Sequence, residues 1–420
     1  LNRLNAYENK DFQEMIDRQR EELESGNLRD LSPVAEEMQD LIRMNLTRTD
    51  APLSKAAEIK IYNDGTRKFE DLFEDIRQAQ NHIHLQYFIV KNDDLGTDLL
   101  ALLTEKSRQG VKVLFLYDGL GSKSLPKNFF DEFTKAGGKA SAFLPAVLAG
   151  WNLQLNNRNH RKLVVIDGII GYIGGFNIGD EYVGKEKELG YWRDTHLRLK
   201  GEIVHSLQNR FFIDWNQATE KYPMKYAEKY FPKVHNKDGS SVQIVASGPL
   251  EIHEDIKNGY LKMIYHARDS IYLQTPYFTP DKSIIDALRT AALGGVDVQI
   301  MIPDKADHIF VHSATLSFVR ELLQDGVKIL SYKNGFMHAK TLIVDRKVYS
   351  VGSANMDIRS FALNFELNAF VYDSQSALEM ADIFFRDKEL STELTKETFA
   401  GQSWKAQVKQ NIAKLISPIM

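Results

Sequence analysis

The chain carries one pattern twice. NHRKLVVIDGIIGYIGGFN (159–177) aligns without a gap with MHAKTLIVDRKVYSVGSAN (337–355). In each copy a Lys stands two residues after a His and an Asp five residues after that Lys. A Gly-Gly or Gly-Ser pair follows, with an Asn two residues beyond it. The likeness continues upstream: IHLQYF (83–88) matches IYLQTPYF (271–278), GVKVLFLYDG (110–119) matches GVDVQIMIPD (295–304), and GGKASAF (137–143) matches DGVKILSY (325–332). The landmarks recur after roughly 180 residues, far beyond a solenoid repeat, so the chain must fold as two homologous domains.

Between the apolar, β-branched runs lie stretches of helical period. FEDLFEDIRQAQ (69–80) is apolar at 69, 72, 73 and 76, the spacing of one helix face. LLALLTEKSRQG (99–110) and SATLSFVRELLQDG (313–326) each end in Gly, as helix C-termini often do. Strand and helix therefore alternate in both halves, which predicts two α/β domains of related topology. The join falls near 219–241, giving domains at 58–235 and 236–400. Residues 1–57 are charged and helical, with Pro33 near a helix start. They read as an arm packed on the core or leading to a membrane anchor.

Composition narrows the chemistry. There is no cysteine among 420 residues, which removes thiolate nucleophiles, disulfides and Cys-ligated metals. A net charge of −4 provides no global basic field for nucleic acid. No apolar run is long enough to span a bilayer. The chain opens on Leu1 rather than Met, and an upstream segment holding a membrane anchor is expected.

Two His-x-Lys strands, one per domain, predict a single cleft on a pseudo-twofold axis. His and Lys two apart share one strand face. Two ammoniums, from Lys162 and Lys340, and two amides, from Asn177 and Asn355, suit the charge and oxygens of a phosphate. The small pairs at 174–175 and 352–353, with Gly175 and Ser353 as their second members, would let backbone come close to it. One neutral imidazole can attack phosphorus while the other, protonated, gives its proton to the departing alcohol. Imidazoles titrate near neutrality, so both forms are accessible. No cofactor and no metal is expected, since the sequence offers neither a carboxylate cage nor HExxH.

Both copies resemble the HKD motif, HxKxxxxDxxxxxxG(G/S)xN, of the phospholipase D superfamily, and the resemblance extends over about residues 58–385. NHRKLVVIDGIIGYIGGFNIGDEY, GYWRDTHLRLKG, QTPYFTPD and GSANMDIRSFALNFELN are similar to signatures of its bacterial cardiolipin synthase subfamily. The resemblance implies two phospholipase D-like α/β domains, each with a central mixed sheet flanked by helices, around one shared active site. It implies His160 and His338 as nucleophile and general acid/base, with His160 taken as the nucleophile. Lys162, Lys340, Asn177 and Asn355 are implied phosphate ligands, and Asp194 and Glu366 are implied to orient the imidazoles. Asp167 and Asp345 complete the motif; a structural role, such as an ion pair, is preferred for them over a chemical one. His82, His84 and His205 are expected to be structural, and Tyr87, Phe88, Tyr277 and Phe278 to pack in the core rather than meet substrate.

The implied reaction is phosphatidyl transfer between two phosphatidylglycerol molecules, giving cardiolipin and glycerol through a phosphohistidine. The implied setting is a bacterial cell membrane, on its cytoplasmic face. Hydrolysis by water, phosphatidylserine synthesis and nuclease action are the competing enzymatic readings; a membrane scaffold would need neither imidazole. The uncharged FLPAVLAGW (143–151) is either an interfacial loop or a buried strand and turn. Residues 401–420 place Trp404, Val408, Ile412, Leu415 and Ile416 on one helical face beside Lys405, Lys409 and Lys414. That is the pattern of a helix lying on an anionic membrane surface, with an ordinary docking helix as the alternative.

Overall fold

The computed structural model describes residues 10–26, 28, 31–143, 157–185, 188–234, 238–249, 253–305 and 307–416. The segment 144–151, read above as loop or buried strand, lies outside them. Runs such as Ile83 to Tyr87 and Val113 to Leu116 are buried along their whole length, as central parallel strands must be when covered on both faces. The first half forms a seven-stranded sheet in the order Glu58–Tyr62, His196–Lys200, Ile170–Gly174, Leu163–Ile166, His82–Tyr87, Lys112–Asp118, Lys139–Phe143. Its last three strands are parallel and the other pairings antiparallel.

The second half repeats that order strand for strand: Ser240–Ser247, Glu366–Tyr372, Val348–Gly352, Thr341–Val344, Ser270–Gln274, Asp297–Pro303, Lys328–Tyr332. Two further strands extend its edges, Ser54–Ala56 at one side and Ser391–Leu394 at the other. Residues 54–56 belong to the stretch read as an N-terminal arm. Instead of ending before the sheet, that stretch supplies an edge strand to the second half, pairing with Ser240–Val242. Upstream of it, the helix Gln39–Thr49 buries Leu41, Ile42 and Leu46, and Asn45 donates to Gln243 at 3.1 Å.

The two sheets share one core. Leu116, Val165, Ile173 and Leu197 of the first and Tyr272, Ile343, Val351 and Leu367 of the second lie in a common apolar cluster. The helices Val204–Ala218 and Ser374–Glu389 contribute Phe211, Trp215, Met380 and Phe384 to it. Helices Gly65–Gln78 and Asp94–Arg108 cover the far face of the first sheet. Asp255–His266, Lys282–Leu293 and Ile309–Leu322 cover that of the second.

Backbone pairings also stitch the halves together. Phe336–Met337 runs parallel to Trp192–Arg193, and Asn159 pairs in parallel with Phe365. Each seam brings the start of one half's His-x-Lys strand beside the other half's acidic residue. No helix among the described residues is long and apolar enough to cross a membrane.

Candidate active site

The seams fix the two histidines at the junction. The His160 N–H donates to the Phe365 carbonyl at 2.9 Å, and the His338 N–H to the Arg193 carbonyl at 2.7 Å. The side chains then cross between halves. His160 Nδ1 lies 3.0 Å from both carboxylate oxygens of Glu366, and His338 Nδ1 lies 2.6 Å from Asp194 Oδ2. With Nδ1–H directed at a carboxylate, each ring keeps Nε2 for chemistry. Sequence distance places Asp194 after His160 and Glu366 after His338; in the fold each serves the other copy's imidazole.

The lysines stand beneath the rings. Lys162 donates to the His160 carbonyl at 2.6 Å. Lys340 donates to the His338 carbonyl and holds its ammonium 2.9 Å from His338 Nδ1 and 3.8 Å from Asp194. Both lysines are buried while each imidazole keeps about a tenth of its surface exposed, His160 9% and His338 8%. Phe88 meets the His160 ring edge-on at 4.9 Å, and Trp192 lies 5.1 Å from that of His338.

Burial of four basic groups together shifts all of them down. It lowers Lys162 to about 7 and Lys340 to about 8. Burial and the adjacent Lys340 lower His338 to about 4 against the pull of Asp194. His160 is also lowered, chiefly by burial, with Glu366 opposing. Burial alone would raise Glu366 and Asp194, but the neighbouring imidazoles and lysines draw both below the usual carboxylate range. A negative charge placed among these groups would let the lysines and imidazoles regain protons.

Several expected ligands have other work. A Cβ on Gly175 would meet Asp194 Oδ1 at 2.0 Å, and Ser353 Oγ donates to Glu366 Oε2 at 2.5 Å. The room left by these small residues is taken by the crossing carboxylates, rather than by backbone moving toward a phosphate. Asn177 accepts from the Ile89 N–H at 3.1 Å and donates to Tyr182 Oη at 3.0 Å. Asn355 differs, since its buried Oδ1 has no hydrogen-bond partner. Asp167 and Asp345 lie past the strands, which carry the former roughly 15 Å from Lys162. Asp167 accepts from the N–H groups of Gln80, Asn81 and His82, and Asp345 from those of Arg268, Asp269 and Ser270. These are backbone caps in place of the expected ion pairs, and both residues sit in left-handed turns at φ 53° and 52°.

His82 and His84 share Gln208 Oε1 at 3.1 and 3.0 Å, deep in the first half. His205 Nε2 lies 3.1 Å from the Pro232 carbonyl. Tyr87 and Phe278 are buried, whereas Phe88, against the His160 ring, and Tyr277 keep part of their surface exposed.

Sequence reasoning missed a matched pair of buried clamps. Arg161 grips Asp214 at 2.6 and 2.7 Å and donates to the Glu366 carbonyl at 3.0 Å. Arg193 grips Asp387 at 2.7 and 2.9 Å and donates to the Asp194 carbonyl at 2.5 Å. Gln86 and Gln274 donate to Asp214 and Asp387, each at 2.8 Å. Each guanidinium thus fixes the backbone of an acid that orients an imidazole. The signal was the Gln shared by IHLQYF and IYLQTPYF, an interior polar residue kept in both copies.

Among the described residues no group of three or more His, Asp or Glu is arranged to hold a metal ion. Two histidines and two lysines thus meet at the junction with an acid from each opposite half, the arrangement that the sequence resemblance to the phospholipase D superfamily implies.

The family model described as "Cardiolipin synthase, PLD-like domain" matches residues 72–215 and 260–388, and the chain belongs to that family. A cardiolipin synthase of Staphylococcus aureus is 48% identical over 418 residues, covering 100% of this chain and 85% of its own length. One of Listeria monocytogenes is 48% identical over 388 residues, covering 92% and 80%. A phosphatidylserine synthase structure from Haemophilus influenzae superposes with a TM-score of 0.72 at 14% identity, over 93% of this chain and 100% of that one. That likeness is one of fold.

Proposed function

We propose that the protein is a cardiolipin synthase, transferring a phosphatidyl group from one phosphatidylglycerol to a hydroxyl of a second at the cytoplasmic face of a bacterial membrane. The crossed pairing of each imidazole with the other half's carboxylate carries the chemistry. The choice of substrates is supported by likeness over 92% or more of this chain to relatives named cardiolipin synthase. Lys162 and Lys340 hold the phosphodiester, with the Asn355 amide as a further ligand.

In the first step His160 Nε2 bonds to phosphorus as the phosphorus–oxygen bond to glycerol breaks. The electron pair goes to the glycerol oxygen, which takes the His338 Nε2 proton and leaves. In the second step a hydroxyl of the incoming phosphatidylglycerol gives its proton to His338 as its oxygen bonds to phosphorus. The nitrogen–phosphorus pair returns to His160, and cardiolipin is released. Glu366 and Asp194 hold the two rings in the required tautomer throughout.

The test is the purified chain with headgroup- and acyl-labelled phosphatidylglycerol in detergent micelles, without nucleotide. Cardiolipin plus free glycerol is the expected outcome. Phosphatidic acid as the main product would make water the acceptor and the protein a hydrolase; absence of turnover would sink both readings.

A further inference from the structure

The helix Trp404–Ile416 is mounted inside out. It packs along Ile309–Leu322 through Gln410 and Ala413, which are buried. Lys414 donates to Glu321 at 2.6 Å, and Asn411 accepts from Arg320 at 3.0 Å. Its apolar residues point the other way: Trp404 is 70% exposed, Val408 45%, Ile412 53% and Leu415 80%. Ile416, expected on the same face, is half-buried. A helix on a water-soluble surface normally turns its apolar stripe inward. Beside this face, Ile309 and Phe310 at the start of the neighbouring helix are also exposed, at 63% and 58%.

Cations are interleaved with this ridge. The Lys405 ammonium lies 6.0 Å from the Trp404 ring centre, and that of Lys409 5.9 Å from the Phe310 ring; both lysines are exposed. Bulky apolar groups with an aromatic anchor among lysines make a surface suited to the headgroup boundary of a bilayer. The ridge also starts beside the site. Ile309 follows Asp307 and His308, and Asp307, which accepts the Tyr277 hydroxyl, is among the charges that act on the Lys340 ammonium. A second copy of the chain fits less well, because a twofold contact through this face would set Lys405 and Lys409 against their own counterparts.

We infer that the ridge formed by Trp404–Ile416 and the start of Ile309–Leu322 docks on an anionic lipid bilayer and holds the cleft mouth at the headgroup level. The choice of partner rests on the lipid-substrate reading. The test uses the chain with sucrose-loaded vesicles of phosphatidylglycerol or phosphatidylcholine. Sedimentation with the anionic vesicles, weakened by salt, is expected. Trp404→Asp combined with Phe310→Asp should lower the affinity at least about tenfold, and Lys405→Gln with Lys409→Gln by about thirtyfold at low salt. Both variants should melt like the parent and keep its turnover of phosphatidylglycerol in detergent micelles.

Parent-like vesicle binding by both variants, or no binding by the parent, would overturn the inference. So would light scattering that shows a dimer lost in the variants while vesicle binding persists. Vesicle binding without any turnover in micelles would leave the docking face standing and remove the synthase reading instead.

Discussion

The two imidazole sites are copies that have ceased to be equivalent. His160 faces both oxygens of a Glu, and that Glu is steadied by Ser353 at 2.5 Å and Asn364 at 3.2 Å. His338 faces one oxygen of a shorter Asp, which packs on Gly175 and accepts the Thr195 N–H at 2.7 Å. Lys162 turns its ammonium to a backbone carbonyl, while Lys340 brings its own beside the ring. His338 is held down to about 4 with the neighbouring ammonium as a cause second only to burial. Once a bound anion has restored its proton, such a ring would give it up readily, which favours the proposed assignment of His338 as the acid. His160, also lowered chiefly by burial with Glu366 opposing, is the proposed nucleophile. The two copies of the motif thus differ through their neighbours and through Ser353, which stands where the first half has Gly175.

The sharpest way to break this comparison is to remove each ring. His160→Ala and His338→Ala should each cost about 10⁴-fold in turnover. Only His338→Ala should retain labelled protein after an alkaline quench; label on His160→Ala alone would reverse the roles. Next come the clamps. Asp214→Asn and Asp387→Asn each uncover a buried guanidinium and should lose about 3–5 kcal/mol of stability in denaturant melts. Asp214→Asn should be the worse, since Asp214 also meets Arg210 at 2.6 Å.

Glu366→Gln and Asp194→Asn should lower kcat by about 10²-fold with little change in KM, because they act through the imidazoles. The pH profile discriminates next. Lys162 and Lys340, lowered to about 7 and 8, are cationic below those values and lose charge above them. On the alkaline side kcat/KM should therefore fall by about tenfold per pH unit between 7 and 8 and by about a hundredfold per unit beyond 8, and the limb should move to higher pH in kcat, where a bound anion restores the protons. The smallest effect is expected from Ser353→Gly, which gives the second half the first half's residue. Loss of one hydrogen bond should slow turnover about fivefold, and an unchanged rate would show that the serine is no part of the asymmetry.

Much of this was legible in the sequence because duplication exposes what both copies keep. The motif histidines, lysines and acids, the matched strands and the α/β alternation all announced themselves by recurring. The crossing did not. Spacing along the chain ties Glu366 to His338, and only the docking of two halves reveals that it serves His160. Arg161, Arg193, Asp214 and Asp387 follow no shared spacing, since one clamp arginine precedes an acid and the other follows a histidine. The small residues at 175 and 353 suggest room for a phosphate, because Asp194 and Glu366, the carboxylates at their space, lie apart from the motifs along the chain. The strand at 54–56 was hidden for a similar reason: three residues carry no measurable period, and their partner is at 240–242.

The short backbone seams at Phe336–Met337 and Asn159 also govern traffic. Main-chain bonds pin the halves on either side of the reaction centre, so they cannot part like jaws around two bulky lipids. On the proposed two-step reaction, halves so pinned would take donor and acceptor in turn, the first alcohol leaving before the next arrives. In that light the proposed phosphohistidine would be a placeholder that lets a fixed junction join two molecules it never has to hold together.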